Sequence, residues 1–201
     1  MYAIIIIGAG TAGISAYQQA VKKTTNILIV NDGTWDTTCA RVGCMPSKIL
    51  ISSANRARAI QDAEKVGLTV QANISTVNTM SHLRKLRDRF TGATLRDVAQ
   101  WPKTHKISGK AKFIDQNTIS VNGEHYQAKS FIIAVGSTPA YDPTWKDQLK
   151  DKLITSDDIF ELDTLPKSIA VVGSGVIALE LAQALHHLGV NTTVFARSRR
   201  V

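Results

Sequence analysis

Two short apolar runs, each followed at once by a glycine-rich turn, constrain this sequence more than any other feature. Residues 3–7 lead into the turn GAGTAG at 8–13, and residues 169–172 lead into GSGVIA at 173–178. Each turn is followed by a helical pattern and then by a second apolar run. Such short β-branched runs are typical of strands buried on both faces of a parallel sheet. Each copy therefore predicts a βαβ unit with a right-handed crossover.

The first turn has the spacing of a dinucleotide-binding turn. Gly8 permits the tight bend, Gly10 lets a pyrophosphate approach the backbone, and Gly13 lets helix and strand pack closely. The N–H groups at the start of the helix would then bind the phosphates. An acidic residue is expected at the end of the next strand, but Asn31 stands there and would bond a ribose hydroxyl without charge assistance. A purely structural glycine turn is the alternative interpretation.

The second turn predicts a second dinucleotide site. Gly173 and Gly175 hold the first two glycine positions, and an alanine holds the third, where only packing space is required. After the unit's last strand come Arg197, Arg199 and Arg200 rather than an acid. Arg197, alone or with one of the other two, would pair with a 2′-phosphate, which favours NADP over NAD. A solvated basic tail is the alternative.

Composition excludes several classes of protein. The 201 residues are 44% hydrophobic and 20% charged, ordinary values for a globular chain and unlike collagen or disordered segments. The longest apolar run, 3–10, is shorter than the ~18–20 residues of a membrane helix, and no basic residue precedes it as in a secretory signal. The net charge of +8 is concentrated in 41–110 at helical spacing. We interpret it as a solvated helix face rather than a nucleic-acid site, and expect neither nucleic acid nor membrane as a partner.

Cys39 and Cys44 are the only cysteines, and they lie five residues apart. Pro46 predicts the first turn of a helix there, and a helix start together with Arg41 and Lys48 favours thiolates. A redox pair and a pair of buried inert cysteines remain equally open on this reasoning. Half of a metal site is a further alternative, although no histidine or cysteine pair nearby would complete it. We predict no metal.

The remaining pattern predicts an α/β chain with two Rossmann-like dinucleotide-binding domains built on central parallel sheets. Helices are expected over 47–64 and 81–100, and strands over 105–135, with Asn122-Gly123 as a hairpin turn. An open two-stranded sheet cannot bury its own face, so the second domain is expected to be incomplete and this stretch inactive alone. The predicted division is a first domain at 1–140, a connection at 141–166, and the start of the second domain at 167–201.

Taken together, the motifs resemble the flavoprotein disulfide reductases, also called pyridine nucleotide-disulfide oxidoreductases. The resemblance is carried in order by the turn at 8–13, the string TCARVGCMPSK at 38–48, IAVGSTP at 133–139, and 171–185 with Glu180. It covers essentially all 201 residues, and the Cys-x4-Cys-x-Pro-Ser-Lys string is highly specific. Residues 44–48 are most similar to dihydrolipoamide dehydrogenase, whereas Arg197 is more similar to the NADPH-dependent reductases.

The resemblance implies FAD in the first site, a nicotinamide cofactor in the second, and a redox disulfide beside the flavin. Cys39 would be the interchange thiol that attacks the substrate disulfide, and Cys44 the flavin-side thiol that forms a charge-transfer complex. Lys48 and Glu180 would form an ion pair near the flavin ring. Implied FAD contacts are Gly8, Gly10, Gly13, Asn31, Thr38, Lys48, Ala111, Gly136 and Ser137. Implied nicotinamide-site contacts are Gly173, Gly175, Ile177 and Arg197, and Glu180 is implied as a cofactor contact through its ion pair near the flavin.

The chain departs from the family pattern at several positions. Asn31 replaces an acid, Asp36 and Thr37 replace glycines, Arg41 replaces an asparagine common in the family, and Val135 replaces a threonine. These departures leave open whether the substrate is a lipoyl group or another small disulfide. The complete protein is expected to be a cytoplasmic homodimer whose catalytic His-Glu pair lies outside this stretch.

Three alternatives to a dihydrolipoamide dehydrogenase-like enzyme follow from the same residues. The first is an NADPH-dependent reductase of the glutathione or mercuric type. The second is a flavin-dependent oxidase or monooxygenase, which needs no redox cysteines. The third, a basic binding module for nucleic acid or an acidic partner, is supported by charge alone.

Overall fold

The computed structural model describes residues 1–197, which cluster into two compact units. The first unit comprises Met1–Arg41 and Arg89–Thr138, and the second comprises Val42–Asp88 with the described part of Pro139–Val201. This grouping differs from the predicted boundaries, because residues 42–88 cluster with the chain beyond 138. The assignment of a cofactor to each predicted domain stays a prediction.

The first unit is built on a mixed six-stranded sheet. Its strands are β1 (Tyr2–Ile7), β2 (Ile27–Asn31), β3 (Lys106–Ser108), β4 (Lys112–Asp115), β5 (Thr118–Val121) and β6 (Glu124–Ile133). Their order is β3-β2-β1-β6-β5-β4, and the pairs β1–β2, β1–β6 and β2–β3 are parallel. The predicted parallel sheet is therefore confirmed at its centre, but β4 and β5 extend it in antiparallel fashion.

The length of β6 explains how one sheet holds both kinds of pairing. The first residues of β6 pair with β5, and the later ones pair with β1. Asn122 and Gly123 join β5 to β6 with φ values of 53° and 87°. Two successive positive φ angles are typical of a tight hairpin turn, so the Asn-Gly prediction is confirmed.

The apolar character of β1 and β2 follows from cover on both faces. All five residues of β2 are buried, and so are Ile5 and Ile6 of β1. One face packs against Tyr17 of helix α1 (Thr11–Ala20) and against Trp101, and the other packs against β5 residues such as Ile119. This is why the sequence shows continuous apolar runs here rather than alternation.

The second unit contains a two-stranded parallel sheet and several helices. Its strands are β7 (Ser168–Val172) and β8 (Asn191–Phe195). The remaining helices of the chain are α2 (Thr38–Arg41), α3 (Cys44–Gln61), α4 (Thr79–Ala99), α5 (Pro143–Leu149) and α6 (Val176–His187). Buried residues of α3, α6 and the 3-10 turn Asp158–Glu161 form its core. Among the described residues, no helix has both the length and the apolarity needed to cross a membrane.

The basic face predicted for α4 is only partly solvated, so that prediction was wrong for two arginines. Arg87 is 8% exposed, and its guanidinium donates to the carboxylate of Glu161. Arg84 donates to the backbone of the same segment and lies 3.6 Å from Asp163. Lys85 is exposed as predicted. The difference arises because Arg84 and Arg87 contact the acidic segment after residue 157.

Candidate redox and dinucleotide sites

Close packing requires glycine at the first and last positions of the first turn, but not at the middle one. Gly8 has a φ of 103°, and a Cβ there would lie 2.2 Å from the carbonyl oxygen of Ala134. A Cβ on Gly13 would lie 1.8 Å from the carbonyl oxygen of Gly8. A Cβ on Gly10 would meet no atom of the described chain within 4 Å. The backbone at Gly10 is therefore the place where a bound group can approach.

The start of α1 has the features of a phosphate-binding end. In the part of the chain that the structure describes, no side chain caps this helix at Gly10. The first intrahelical bond runs from the Ile14 N–H to the Gly10 carbonyl, so the N–H groups before Ile14 lack helical acceptors. Open space at Gly10 beside uncapped N–H groups fits the pyrophosphate of a dinucleotide such as FAD.

Asn31 braces the turn from the end of β2. Its Oδ1 accepts the N–H of Ala9 at 2.9 Å, and its Nδ2 donates to the carbonyls of Gly33 and Thr34 at 3.2 and 2.8 Å. Both amide hydrogens are thus engaged, which leaves one lone pair of Oδ1 for another donor. The predicted contact with a ribose hydroxyl stays a prediction, and it would have to use that lone pair.

Ala111, Gly136 and Ser137, which the resemblance also assigns to FAD, belong to the first unit as well, whereas Lys48 belongs to the second. Gly109 donates its N–H to the Asn31 carbonyl at 2.9 Å, and half-buried Ala111 follows two residues later. Gly136, with a φ of 69°, follows the end of β6, and Ser137 is exposed beside it. The structure therefore brings the Gly8 turn, Asn31, Ala111 and Gly136 to the carboxyl ends of parallel strands, where open α/β sheets bind ligands.

The two cysteines lie at the starts of successive helices. Cys39 is half-buried in α2, whose first turn is closed by Thr37, since Thr37 Oγ1 accepts the N–H of Ala40 at 3.0 Å. Thr38, the implied flavin contact, is exposed in the same helix. Cys44 is exposed as the first residue of α3, so its sulfur lies at the positive end of the helix dipole. The disulfide between them stays a prediction.

Lys48 and Glu180 join α3 to α6 within the second unit. Lys48 Nζ lies 2.6 Å from Glu180 Oε2, and Ser47, whose hydroxyl donates to the Cys44 carbonyl at 3.1 Å, also lies near this carboxylate. The Lys48 ammonium, aided by Ser47, lowers the pKa of Glu180 below its ordinary value. The sequence offered no signal for Ser47, because its contact depends on how α3 packs against α6. Proximity of the pair to a flavin ring stays a prediction.

The second glycine turn repeats the backbone plan of the first. Gly173 has a φ of 122°, and its N–H donates to the Phe195 carbonyl at 2.8 Å. A Cβ on Gly175 would meet no described atom within 4 Å, and no described side chain caps α6 there. This open turn fits the pyrophosphate of a nicotinamide dinucleotide. Ile177 and Arg197 are exposed beside it and beyond β8, respectively.

Arg199 and Arg200, which the sequence offered as partners of a 2′-phosphate, lie outside the described residues. Sequence reasoning also missed an ion pair between two residues that flank Cys39 in the sequence. Arg41 Nε lies 3.4 Å from Asp36 Oδ1, and Asp36 is buried. Opposite charges five residues apart were the only available signal.

Within residues 1–197, His, Cys, Asp and Glu side chains form no group of three that could hold a metal ion.

An α/β sheet with a glycine-rich turn, followed by a segment with two cysteines and a second glycine-rich turn, is the arrangement expected of a redox protein that binds two dinucleotides. Comparison with known families agrees: the model described as pyridine nucleotide-disulphide oxidoreductase matches residues 2–201. The chain belongs to this family. The family uses FAD and NAD(P)H, which confirms the predicted cofactors at the level of the family.

Three relatives illustrate the similarity. The chain is 33% identical over 201 residues to a mercuric reductase of Lysinibacillus sphaericus, covering 100% of this chain and 37% of that protein. It is 30% identical over 205 residues to a dihydrolipoyl dehydrogenase of Mycoplasma pneumoniae, covering 100% of this chain and 45% of that protein. The flavoprotein disulfide reductase RclA from Escherichia coli matches with a TM-score of 0.78 at 20% identity, over 96% of this chain and 41% of that one. The chain thus spans less than half the length of these relatives.

Proposed function

We propose that this chain forms the flavin site, the redox cysteine pair and the start of the nicotinamide site of an NAD(P)H:disulfide oxidoreductase similar to dihydrolipoamide dehydrogenase. The observation that carries the proposal is the segment 38–48. It follows a turn that fits a pyrophosphate, and it bears two cysteines at helix starts. One helical turn beyond Cys44, Lys48 is held by Glu180 at 2.6 Å. This arrangement supports two-electron transfer through sulfur.

The bound groups would divide the work between the two turns. When bound, FAD supplies a two-electron carrier between a nicotinamide and a disulfide. The N–H groups at the starts of α1 and α6 would hold the two pyrophosphates. The ammonium of Lys48 would place a fixed positive charge in the site, and Glu180 would keep that ammonium in one position. Asn31 would keep the first turn in its binding conformation through Ala9.

The cysteines would carry the exchange with substrate. In the reduced pair, the Cys39 thiolate attacks one sulfur of the substrate disulfide, forms a mixed disulfide and expels one thiolate. The Cys44 thiolate then attacks the Cys39 sulfur, closes the Cys39–Cys44 disulfide and expels the second thiolate. Each turnover oxidises one NAD(P)H, takes up one proton from solvent and releases two thiols. The reverse direction oxidises a dithiol.

Single cysteine substitutions in the full-length holoprotein test this assignment. Cys39→Ser should abolish disulfide reduction while flavin reduction by NAD(P)H persists, because only the exchange thiol is lost. Cys44→Ser should remove the long-wavelength thiolate–flavin absorption of the reduced enzyme. Thiol titration of the parent should show two additional thiols after reduction. Retained turnover in Cys39→Ser, or an unchanged thiol count, would instead support a flavin-dependent oxidase or monooxygenase.

The choice of nicotinamide and of substrate is a second part of the proposal. Arg197 is exposed beyond β8, where a guanidinium would pair with the 2′-phosphate of NADPH. Arg197→Gln should reduce the ratio of kcat/KM for NADPH over NADH by about tenfold, the effect of one charge-assisted contact worth ~1.4 kcal/mol. Arg89→Gln, which removes an exposed arginine of α4, is the matched control. An unchanged ratio in Arg197→Gln would favour NAD.

Turnover of lipoamide, glutathione disulfide and mercuric ion with both nicotinamides separates the candidate substrates. Lipoamide with NAD supports the dihydrolipoamide dehydrogenase-like proposal. Preference for glutathione disulfide or mercuric ion with NADPH supports the NADPH-dependent alternative, which Arg197 favours. We also propose a cytoplasmic homodimer for the complete protein, since a reducing compartment suits a cysteine pair that cycles between states. Light scattering and cell fractionation test these two points.

A further inference from the structure

The segment that carries Cys39 is closed by contacts within the first unit. We call residues 31–41 the Cys39 loop. Asn31 donates to two carbonyls of this loop, and Thr37 Oγ1 accepts the N–H of Ala40 at 3.0 Å. Trp35 Nε1 donates to Ser108 Oγ at 3.1 Å. These contacts fix the backbone on both sides of residue 36.

One ion pair spans the part of the loop that contains Cys39. Asp36 Oδ1 and Arg41 Nε are 3.4 Å apart, and the two side chains are 9% and 42% exposed. Neither atom has a hydrogen-bond partner within the described residues, so the two are matched by charge. A buried carboxylate is costly without a compensating charge, and removing one member of such a pair leaves the other uncompensated.

The pair lies close to Cys39 because of the chain itself. Arg41 is two residues beyond Cys39 in the single turn of α2, which places their Cα atoms ~5–6 Å apart. Asp36 precedes Cys39 by three residues and is joined to Arg41. Asp36, Thr37 and Arg41 are also positions at which the chain departs from the family pattern, and all three make contacts within this loop. These three departures thus lie in one loop and contact residues of that loop.

We propose that Asp36 and Arg41 are positioning residues that control the reactivity of Cys39. The pair holds the turn of α2 in place, and the Arg41 guanidinium cancels the negative charge of Asp36 within the segment that carries Cys39. This inference rests on the exchange role of Cys39 in the proposed function. It makes a prediction of opposite sign for the two residues: an uncompensated Asp36 disfavours the Cys39 thiolate, whereas an uncompensated Arg41 favours it.

The test is the alkylation rate of Cys39 by iodoacetamide, an uncharged reagent, in the full-length holoprotein carrying Cys44→Ser. At neutral pH, Asp36→Asn should speed alkylation and Arg41→Gln should slow it, each by roughly threefold to tenfold for a charge within ~10 Å. The double variant should return to the rate of the parent. Arg41→Lys, which keeps the charge, should remain near the parent rate. Mass spectrometry of the peptide containing Cys39 gives the rate.

The control is Asp32→Asn, which removes an equal charge from an exposed position of the same loop and should leave the rate near that of the parent. A role confined to structure would loosen the loop in both single variants and change both rates in the same direction. That result, or unchanged rates, would overturn the proposal. Alkylation does not depend on turnover, so the opposite-sign result would stand even if Cys39→Ser retained disulfide reduction and refuted the proposed function.

Discussion

The two βαβ units follow one backbone plan but satisfy it with different side chains. In the first, the third glycine packs so closely that a Cβ on Gly13 would overlap the Gly8 carbonyl at 1.8 Å. In the second, the Ala178 Cβ lies 3.8 Å from the position that a Cβ on Gly173 would take, an ordinary contact. The third position is therefore set by how tightly each helix packs on its strand, and it carries no information about phosphate binding.

The ends of the second strands show the same contrast. Gly8 donates to Val30 at 2.7 Å, and Gly173 donates to Phe195 at 2.8 Å, so the main chains correspond. The residue after Val30 is Asn31, whose amide braces the turn, whereas the residue after Phe195 is an alanine without a polar group. All of β2 is buried, but most of β8 is exposed. The first turn is thus held by buried contacts that the second lacks in the described chain.

The largest expected difference between the turns is in stability, when the third residue of each turn is replaced by the one found in the other. Gly13→Ala would place a methyl group against the Gly8 carbonyl. The backbone of Ala134, which follows β6, lies close to Gly8 as well. We expect a loss of about 3 kcal/mol or more in the free energy of unfolding, together with loss of bound flavin, because backbone overlap cannot be relieved by a rotamer change. Denaturant unfolding and the flavin absorbance of the purified protein measure the two effects.

Ala178→Gly is the matched substitution in the second turn. It creates no overlap and should cost only about 0.5–1 kcal/mol through the lower helix propensity of glycine. If Gly13→Ala cost no more than Ala178→Gly, the packing difference between the two turns would be wrong.

The next largest effect concerns the side-chain hydrogen bonds of Asn31, which have no counterpart in the second turn of the described chain. Asn31→Ala leaves the buried N–H of Ala9 and the carbonyls of Gly33 and Thr34 without their side-chain partner. We expect a loss of about 1–3 kcal/mol in the free energy of unfolding, the usual cost of an unsatisfied buried polar group. Thermal and urea unfolding provide the measurement. Ala196→Ser, at the corresponding position of the second unit, should change stability little, and an equal loss there would remove the distinction.

The sequence was sufficient for features set by local pattern. The parallel strands β1, β2, β7 and β8, the hairpin at Asn122-Gly123 and the helices near α3 and α4 all follow from apolar runs and turn residues. The antiparallel β4 was not placed as part of the main sheet, because that depends on β6 being long enough to pair on both sides. Helix α5 was assigned to a connection because turn residues surround it.

The positions of the candidate site residues could be predicted from the sequence, but most of their contacts could not. The glycines and cysteines stand out by spacing, and the resemblance paired Lys48 with Glu180 across 132 residues. The contact of Asn31 with Ala9, and of Asp36 with Arg41, depends on loop conformation that no periodic pattern encodes. Arg84 and Arg87 were misread for a related reason, since the sequence does not show which acidic segment packs against α4.

The smallest expected effect concerns how the second turn's helix is held. In place of a buried brace such as Asn31, α6 has Glu180, whose carboxylate is 35% exposed and pairs with Lys48, which is 63% exposed. The pairing lowers the pKa of Glu180 in the folded state, so its contribution to stability is present above the ordinary glutamate pKa and is lost as the pH falls through the lowered value. Because solvent screens both groups, the contribution should be below about 1 kcal/mol.

Glu180→Gln should therefore reduce the loss of stability on acidification, measured by urea unfolding between ~pH 6 and ~pH 3. Glu64→Gln, at an exposed position of the same unit, should leave that pH dependence unchanged. A Glu180→Gln protein with the full acid sensitivity of the parent would show that the ion pair does not stabilise α6, and that the helix is held by its buried contacts with α3 instead.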